Sequence, residues 1–362
     1  MLATGGRLER RVTRVDRRQF DVPDAVRAAI VLAIPVGIGV ATDLVAAGVF
    51  AAIGALNVLL LQGTGTGRER LERSVWGLGL NAGMIALGTI VGTQGWLEVV
   101  WVAIGLTFVH LVNRIPGSAG LSLTASAVFV IGVGLPGASI SEAGSRALLL
   151  LLGGGLAVVG LAVHLGLRRT WGRGLASDVP ARDGSGPPVG GANADALPEW
   201  PHAIAVGTTA AIGLALSFAL GLARDYWVLL TVVVVLRARF EDTLETGAAR
   251  MVGTVLGATL GAVVTITFVA PPWQGAILIL FAFAAFAVQR ANYLLYAVGL
   301  TAFVVVLLNL VYPGGVGLAE LRVLDTFIGG SLAMIAAAIL WYARYRPRGV
   351  AARSQPLFPD DR

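Results

Sequence analysis

Long apolar stretches, separated by short polar segments, recur along the whole chain. The hydrocarbon core of a bilayer is about 30 Å thick, and a helix needs roughly 20 apolar residues to cross it. Twelve stretches come close to that requirement and predict twelve transmembrane helices. Those of the first half are Val26–Ala41, Leu44–Leu61, Val75–Val91, Leu97–Val112, Ala119–Leu135 and Ala147–Leu167. Those of the second half are His202–Leu222, Tyr226–Leu236, Met251–Val269, Gly275–Val288, Tyr293–Val311 and Val323–Tyr342.

The eighth stretch, Tyr226–Leu236, is short for a membrane helix. The charged segment RARFEDTLET follows it directly, and this segment contains no proline or glycine that would end a helix. We therefore expect the eighth helix to continue into that segment.

The composition agrees with an all-α polytopic membrane protein. The mean hydropathy is +0.79, 56% of the residues are hydrophobic and only 13% are charged. The absence of cysteine excludes disulfides and thiolate metal sites. The three histidines show no spacing typical of metal ligands, so no metal and no cofactor is predicted.

The arginines test the number of spans. All 27 basic residues are arginine, and with a cytoplasmic N-terminus all but Arg146, Arg224 and Arg322 lie on the cytoplasmic side. This is the bias of the positive-inside rule, and it predicts an inner-membrane protein with both termini in the cytoplasm. The net charge of +6 therefore indicates a membrane surface rather than a nucleic acid as partner.

The two halves of the chain resemble each other. RALLLLLGGGLA begins at Arg146 and RVLDTFIGGSLA at Arg322, 176 residues later, and Arg114 and Arg290 have the same separation. Arg73 and Arg250 are 177 residues apart. An even number of spans in each half predicts two parallel six-helix repeats with a pathway at their interface.

A polar segment rich in Gly, Pro, Ala and Asp separates the two repeats and is typical of a flexible linker. The predicted organisation has five parts. They are an arginine-rich cytoplasmic N-terminus (1–24), a degenerate first repeat (25–167), a cytoplasmic linker (168–200), a second repeat (201–344) and a cytoplasmic tail (345–362).

Motifs in the second half resemble the fusaric acid resistance (FUSC) family. Tyr226-Trp227 is followed by R-x-x-G-T-x-x-G from Arg250 and by R-x-x-D-T-x-x-G from Arg322. That family groups with the aromatic acid exporters and, more remotely, with the plant aluminium-activated malate transporters. The resemblance covers Tyr226–Leu340 and is weak in the first half, where Trp76-Gly77 and Leu149-Leu150 replace the Gly-Thr and Asp-Thr pairs. It implies proton-coupled efflux of aromatic or other organic acids. Many larger members have a soluble domain between the halves, whereas this chain has only the short linker.

Small residues of the second repeat predict close helix packing. Gly253, Gly257 and Gly261 recur at a spacing of four and lie on one face of the ninth span. Such ridges let helix backbones approach closely in lipid. We assign the same packing role to the other motif residues, Arg250, Thr254 and Gly329.

Arg146 and Arg322 lie at the predicted outer ends of the sixth and twelfth spans, against the charge bias. Each could be a helix anchor with a local partner, since Glu142 precedes Arg146 by four residues and Asp325 follows Arg322 by three. Alternatively, the two arginines form a positive zone that binds carboxylates.

Asp325 is the only carboxylate inside a predicted span rather than at its edge, and its counterpart in the first repeat is Leu149. It either binds and releases a proton during transport or neutralises Arg322 as a static pair. Thr326 could bond a helix carbonyl or a substrate oxygen.

Arg224, Asp225, Tyr226 and Trp227 open the eighth span at its predicted outer end. Tyr and Trp are enriched at membrane interfaces, so this segment is interpreted as part of an aromatic belt. The alternative is that Trp227 stacks on an aromatic substrate.

The duplicated membrane helices and the family resemblance together imply a secondary transporter of the inner membrane that exports organic acids, aromatic acids in particular, with proton coupling and with its path between the two repeats. An organic-anion channel and a non-transporting membrane assembly partner are the alternatives. An enzyme is disfavoured, because no clustered aspartates and no nucleophile with an adjacent base are present. The expected partners are the lipid bilayer, a small organic anion and protons, without nucleic acid. A homo-oligomer is compatible with the sequence.

Overall fold

The computed structural model describes residues 15–16, 19–63, 65–111, 120–135, 139–171, 199–222 and 224–345. Within them the chain forms twelve long helices. Those of the first half are α1 (Val22–Ala41), α2 (Val45–Leu61), α3 (Gly67–Val91), α4 (Leu97–Leu111), α5 (Leu121–Val133) and α6 (Ile140–Trp171). Those of the second half are α7 (Glu199–Leu220), α8 (Tyr226–Val235), α9 (Phe240–Thr267), α10 (Pro271–Val288), α11 (Tyr293–Asn309) and α12 (Val316–Tyr345).

Every predicted apolar stretch is a helix, which confirms the all-α polytopic prediction. Seven helices are long and apolar enough to cross a membrane, and the other five are apolar helices of 10–17 residues. Several helices extend well beyond their apolar stretch because their polar ends continue the helix. α3 begins at Gly67, where Thr66 and Glu69 form a capping box, and α9 begins at Phe240.

The expected continuation of α8 is wrong. The helix ends at Val235, and Leu236 has extended backbone with φ −72° and ψ 108°. The backbone N–H of Arg237 donates to the hydroxyl of Thr243 at 2.9 Å, which replaces a helical bond at this point. The acidic part of RARFEDTLET therefore belongs to the start of α9.

The described helices enter both ends of the predicted linker. α6 continues to Trp171, and α7 begins at Glu199. Residues 172–198 and the tail from 346 lie outside the described part of the chain, so the domain boundaries stay predictions.

The same helix pairs pack in both halves. α6 lies on α2 so closely that a Cβ at Gly153 would overlap the Ala51 carbonyl, and α12 lies on α8 so closely that a Cβ at Gly329 would overlap the Val228 carbonyl. α3 packs on α5 in the first half as α9 packs on α11 in the second. This recurrence agrees with the predicted duplication.

Contacts between the halves pair equivalent helices crosswise. α4 packs on α7, and α1 packs on α10. Gly207 of α7 approaches the hydroxyl of Thr107, and the backbone N–H of Asp21 donates to the carbonyl of Ala287 at 3.4 Å. Each half therefore completes part of its core with a helix of the other half. We call the side at which α1 begins the inner side, following the predicted orientation.

The glycine ridge of α9 faces α11. A Cβ at Gly253 would lie 2.6 Å from the Cβ of Ala297, and one at Gly261 would lie 2.8 Å from the Cβ of Val305. At Gly257 a Cβ would overlap the Val298 carbonyl oxygen, so the two backbones are in direct contact. These glycines hold α9 and α11 at a distance that no larger residue allows.

We expect Gly257→Ala to destabilise the protein by about 1–3 kcal/mol, because the added methyl group must push α9 away from the backbone of α11. The measurement is the loss of folded protein on heating in detergent, followed by size-exclusion chromatography. Gly79→Ala on α3 is the control, since a Cβ there meets nothing within 4 Å. Equal stability of the two variants would contradict the close contact.

Candidate functional site

Arg322 lies near the outer end of α12, six residues after Val316 and thus about 9 Å along the helix. Only 3% of its surface is exposed. Its guanidinium carbon lies 3.8 Å from the centroid of the Trp227 ring, which places the cation on the face of the indole. Among the described residues, its Nε and Nη1 have no hydrogen-bond partner. A buried cation thus keeps unused hydrogen-bond donors.

Asp325 follows one turn later on α12 and is completely buried. Within the described part of the chain, neither carboxylate oxygen accepts a hydrogen bond, and no ion pair joins Asp325 to Arg322 within 4 Å. The two charged groups act on each other electrostatically without a direct contact, so the static neutralising pair stays one of two predictions for Asp325. Thr326 donates its hydroxyl hydrogen to the Arg322 carbonyl at 2.8 Å, so it bonds the helix backbone.

Arg146, the counterpart of Arg322 in the first half, has partners. Its Nη1 donates to the Thr89 hydroxyl at 3.2 Å and to the Leu135 carbonyl at 3.3 Å. Its Nη2 lies 3.9 Å from Glu142, the partner expected from the sequence. The guanidinium also lies 5.7 Å from the Phe50 ring, so an arginine above an aromatic ring occurs in both halves. Arg146 thus has hydrogen-bond and ion-pair partners within the protein, as the anchor interpretation expects, and its role in binding stays a prediction.

The two aromatic residues that open α8 are buried. Tyr226 and Trp227 are 4% and 6% exposed and belong to a core that α8 shares with α3, α4, α5, α7 and α12. This burial does not favour the aromatic belt, and the role of the two rings stays a prediction. Arg224 lies at the surface, 4.9 Å from the Tyr312 ring. Asp225 precedes the helix, and burial raises the pKa of its carboxyl.

Arg250 lies on α9 and is 5% exposed. In the described residues its Nε has no hydrogen-bond partner, and neither has the hydroxyl of the fully buried Thr254, which lies one turn further along. Arg250 interacts electrostatically with Arg322 across the space between α9 and α12. The packing role predicted for Arg250 and Thr254 thus leaves their polar atoms unexplained.

Comparison with known proteins relates the part of the chain that contains this site to a family. Residues 210–336 match a family model described as fusaric acid resistance protein-like. The second half of the chain is FUSC-like. The match includes Arg250, Arg322 and Asp325, and it confirms the resemblance that the motifs predicted.

The chain is also similar to the inner membrane protein YccS of Escherichia coli (strain K12). An alignment of 142 residues shows 27% identity and covers 39% of this chain and 19% of that protein. The aligned part is therefore about a fifth of the relative's length. No solved structure matches the chain. Together with the apolar helices, these findings show a multi-pass membrane protein that resembles membrane transporters.

A second polar cluster lies at the inner side, whereas Arg322 lies near the outer end of α12. Asp24 of α1 lies 2.8 Å from Arg70 of α3 and 3.2 Å from Arg27. Arg290, which follows α10, lies 3.1 Å from Asp21 and 3.8 Å from Asp24. Two carboxylates from the first half thus hold an arginine of the second half.

Backbone and amide groups complete this inner cluster. Gln62 accepts from Arg27 and donates to the Ala157 carbonyl at 3.2 Å. Arg70 donates to the Gln62 carbonyl and Arg290 to the Gly63 carbonyl, each at 2.8 Å. The sequence showed these arginines only as part of the inside charge bias. The signal that could have found the cluster is the pair of aspartates just before an apolar stretch.

Proposed function

We propose that the protein is a secondary transporter that exports organic anions, and aromatic acids in particular, across the inner membrane. The observation that carries this proposal is the guanidinium of Arg322, which is buried on the Trp227 ring with two donor nitrogens unused. Stacking on a ring occupies the face of a guanidinium and leaves its N–H edge available, and that edge matches the two oxygens of a carboxylate.

Asp325 is the group that we assign to the coupling proton. It is a buried carboxylate without a hydrogen bond from the described residues, and binding of a proton removes its charge. Arg322, Arg224 and Asp225 are the charged groups that act on it electrostatically. Asp325 and Arg322 lie on adjacent turns of one helix. The charge of Asp325 therefore affects carboxylate binding at Arg322, and a bound carboxylate affects proton binding at Asp325.

The test is transport of labelled benzoate by inverted membrane vesicles that contain the full chain. We expect an imposed proton gradient to change the uptake by the natural protein at least severalfold. In Asp325→Asn the response to the gradient disappears, whereas exchange of labelled for unlabelled benzoate persists, because the carboxylate-binding donors remain. Glu320→Gln is the matched control, since Glu320 is an exposed carboxylate on the same helix.

The outcomes separate the alternatives. An Asp325→Asn variant that still responds fully to the proton gradient would contradict the assignment of the proton. Voltage-driven benzoate current without a proton dependence would favour the channel, which the buried arginines of the second half could also line. A protein that moves none of a panel of organic acids under any gradient would favour the assembly partner.

A further inference from the structure

Three arginines of the second half share one property. Arg237 follows α8, Arg250 lies on α9 and Arg322 lies on α12, and in each the buried Nε has no hydrogen-bond partner among the described residues. The hydroxyl of Tyr293, at the start of α11, is buried without a partner as well. Buried polar groups are nearly always hydrogen-bonded in native structures, so this concentration in one part of the chain requires an explanation.

These groups form a series that runs through the second half. Arg322 interacts electrostatically with Arg250 and with Tyr293, and Tyr293 in turn interacts with Arg237. The series therefore leads from Arg237 at the inner end of α8 to Arg322 near the outer end of α12. Its residues come from α9, α11, α12 and the segment after α8; α9 packs on α11 and on α12, and α12 packs on α8.

Two hydroxyls add to this series. Thr254 of α9 and Thr301 of α11 are buried, and neither hydroxyl oxygen has a hydrogen-bond partner in the described residues. Thr301 lies where α9 and α11 are in contact, 2.8 Å from a Cβ built at Gly257. Three cations outnumber the two carboxylates that act on them, Asp325 at Arg322 and Asp242 at Arg237, so the series keeps a positive charge. A ligand that satisfies it must be an anion with hydrogen-bond acceptors.

The first half lacks most of this chemistry at equivalent positions. The counterparts of Thr254, Thr301 and Asp325 are Gly77, Ala125 and Leu149. The counterpart of Arg250 is Arg73, so this cation is present in both halves, and the Nη1 of Arg73 donates to the Leu61 carbonyl at 3.4 Å. Asn81 of α3 does have unpartnered side-chain atoms. It is an uncharged group, so it does not provide a cationic series like that of the second half.

We propose that Arg250 and Tyr293 form an inner anion subsite below Arg322, so that a carboxylate passes from Arg237 to Arg322 through the second half of the chain. This rests on the proposed function, because it assumes that Arg322 binds a carboxylate. It differs from the pathway predicted from the duplication, which lies between the two repeats and which no observation yet tests.

The first test measures benzoate transport by the purified full chain in liposomes. We expect Arg250→Gln to lower the transport rate about tenfold and Tyr293→Phe to raise the KM about threefold, because each removes a donor to the carboxylate. Arg73→Gln, the counterpart in the first half, is expected to keep the KM of the natural protein. Arg250→Gln and Tyr293→Phe variants with unchanged kinetics would overturn the inner subsite.

The second test does not depend on transport and stands even if Arg250→Gln fails to fold. The chain contains no cysteine, so a single introduced cysteine is the only thiol. We expect a small anionic thiol reagent, a sulfonatoethyl methanethiosulfonate, to label Thr254→Cys and Thr301→Cys, and benzoate to slow the labelling at least threefold. Ala125→Cys is the matched control, since Ala125 is equally buried and is the counterpart of Thr301. It should stay unlabelled.

Thr107→Cys reports on the alternative pathway, because the Thr107 hydroxyl lies at the contact of α4 with α7. Benzoate-protected labelling there, with none at Thr254→Cys and Thr301→Cys, would place the pathway between the repeats and overturn the inference. Labelling of Ala125→Cys as fast as that of Thr301→Cys would also overturn it. If the natural protein neither binds nor transports benzoate or any acid of a wider panel, the proposed function itself fails.

Discussion

Arg322→Gln is expected to reduce benzoate transport about 100-fold. Arg146→Gln is expected to leave the transport rate per folded protein unchanged. Arg322 has two unused donors, so its replacement removes a charged hydrogen-bond partner of the substrate and no internal bond. Hydrogen bonds to charged groups contribute about 1.5–3 kcal/mol, and about 2.7 kcal/mol corresponds to 100-fold in rate. The measurement is initial uptake of labelled benzoate per folded protein in inverted vesicles.

The stabilities of the two variants are expected to differ as well. Arg146→Gln, the variant that keeps transport, should be the less stable of the two. Arg146→Gln leaves the Thr89 hydroxyl and the Leu135 carbonyl without their partner, which costs about 1–3 kcal/mol. Arg322→Gln breaks no hydrogen bond within the described residues and gives up only the contact with the Trp227 ring and the attraction to Asp325, so it should lower stability less than Arg146→Gln does. Two variants that lose transport and stability together, to the same degree, would show that both arginines are structural and that Arg322 is not a binding residue.

Asp24→Ala is expected to destabilise the protein by about 3–5 kcal/mol. The variant removes the carboxylate between Arg27 and Arg70 and leaves buried cations without compensation, which is the costly way to break a buried ion pair. It also weakens the attachment of Arg290 to the first half. The measurement is the midpoint of thermal unfolding of the purified protein in detergent.

Glu72→Ala is the control for this prediction. Glu72 pairs with Arg68 at 2.7 Å on α3, but both side chains are exposed to solvent. Its replacement should leave the unfolding midpoint unchanged, because water and salt screen an exposed pair. A midpoint for Asp24→Ala within one degree of that of Glu72→Ala would show that the inner cluster adds nothing to stability.

The sequence predicted the helices well because a helix that crosses the bilayer must be apolar over most of its length, and hydropathy measures that property directly. It predicted their ends less well, since the polar first turns of α3 and α9 follow capping and propensity rather than hydropathy. The break after Val235 was missed because it depends on a hydroxyl of Thr243, six residues beyond Arg237. No periodicity in the sequence reports such a bond.

The residue types of the site were predictable from the sequence. Which of their buried polar atoms find hydrogen-bond or ion-pair partners was not. The spacing of Arg322 and Asp325 suggested a pair, whereas the structure stacks the guanidinium on Trp227, which is far from both in sequence. The inner cluster depends on contacts such as Arg290 with Asp21, which are 269 residues apart. Tertiary packing alone decides which buried charge finds a partner.

The crosswise contacts of α1 with α10 and of α4 with α7 have a consequence for biosynthesis. α1 enters the membrane first, but the helix that covers it ends only at Val288. At typical translation rates the ribosome needs on the order of 10 to 50 s to make the intervening residues. During that time the carboxylates of Asp21 and Asp24 have no Arg290 to hold. Early intermediates of this chain therefore carry an incomplete polar cluster at the inner end of α1, in which Arg27 and Arg70 are the partners of Asp24 until Arg290 is made.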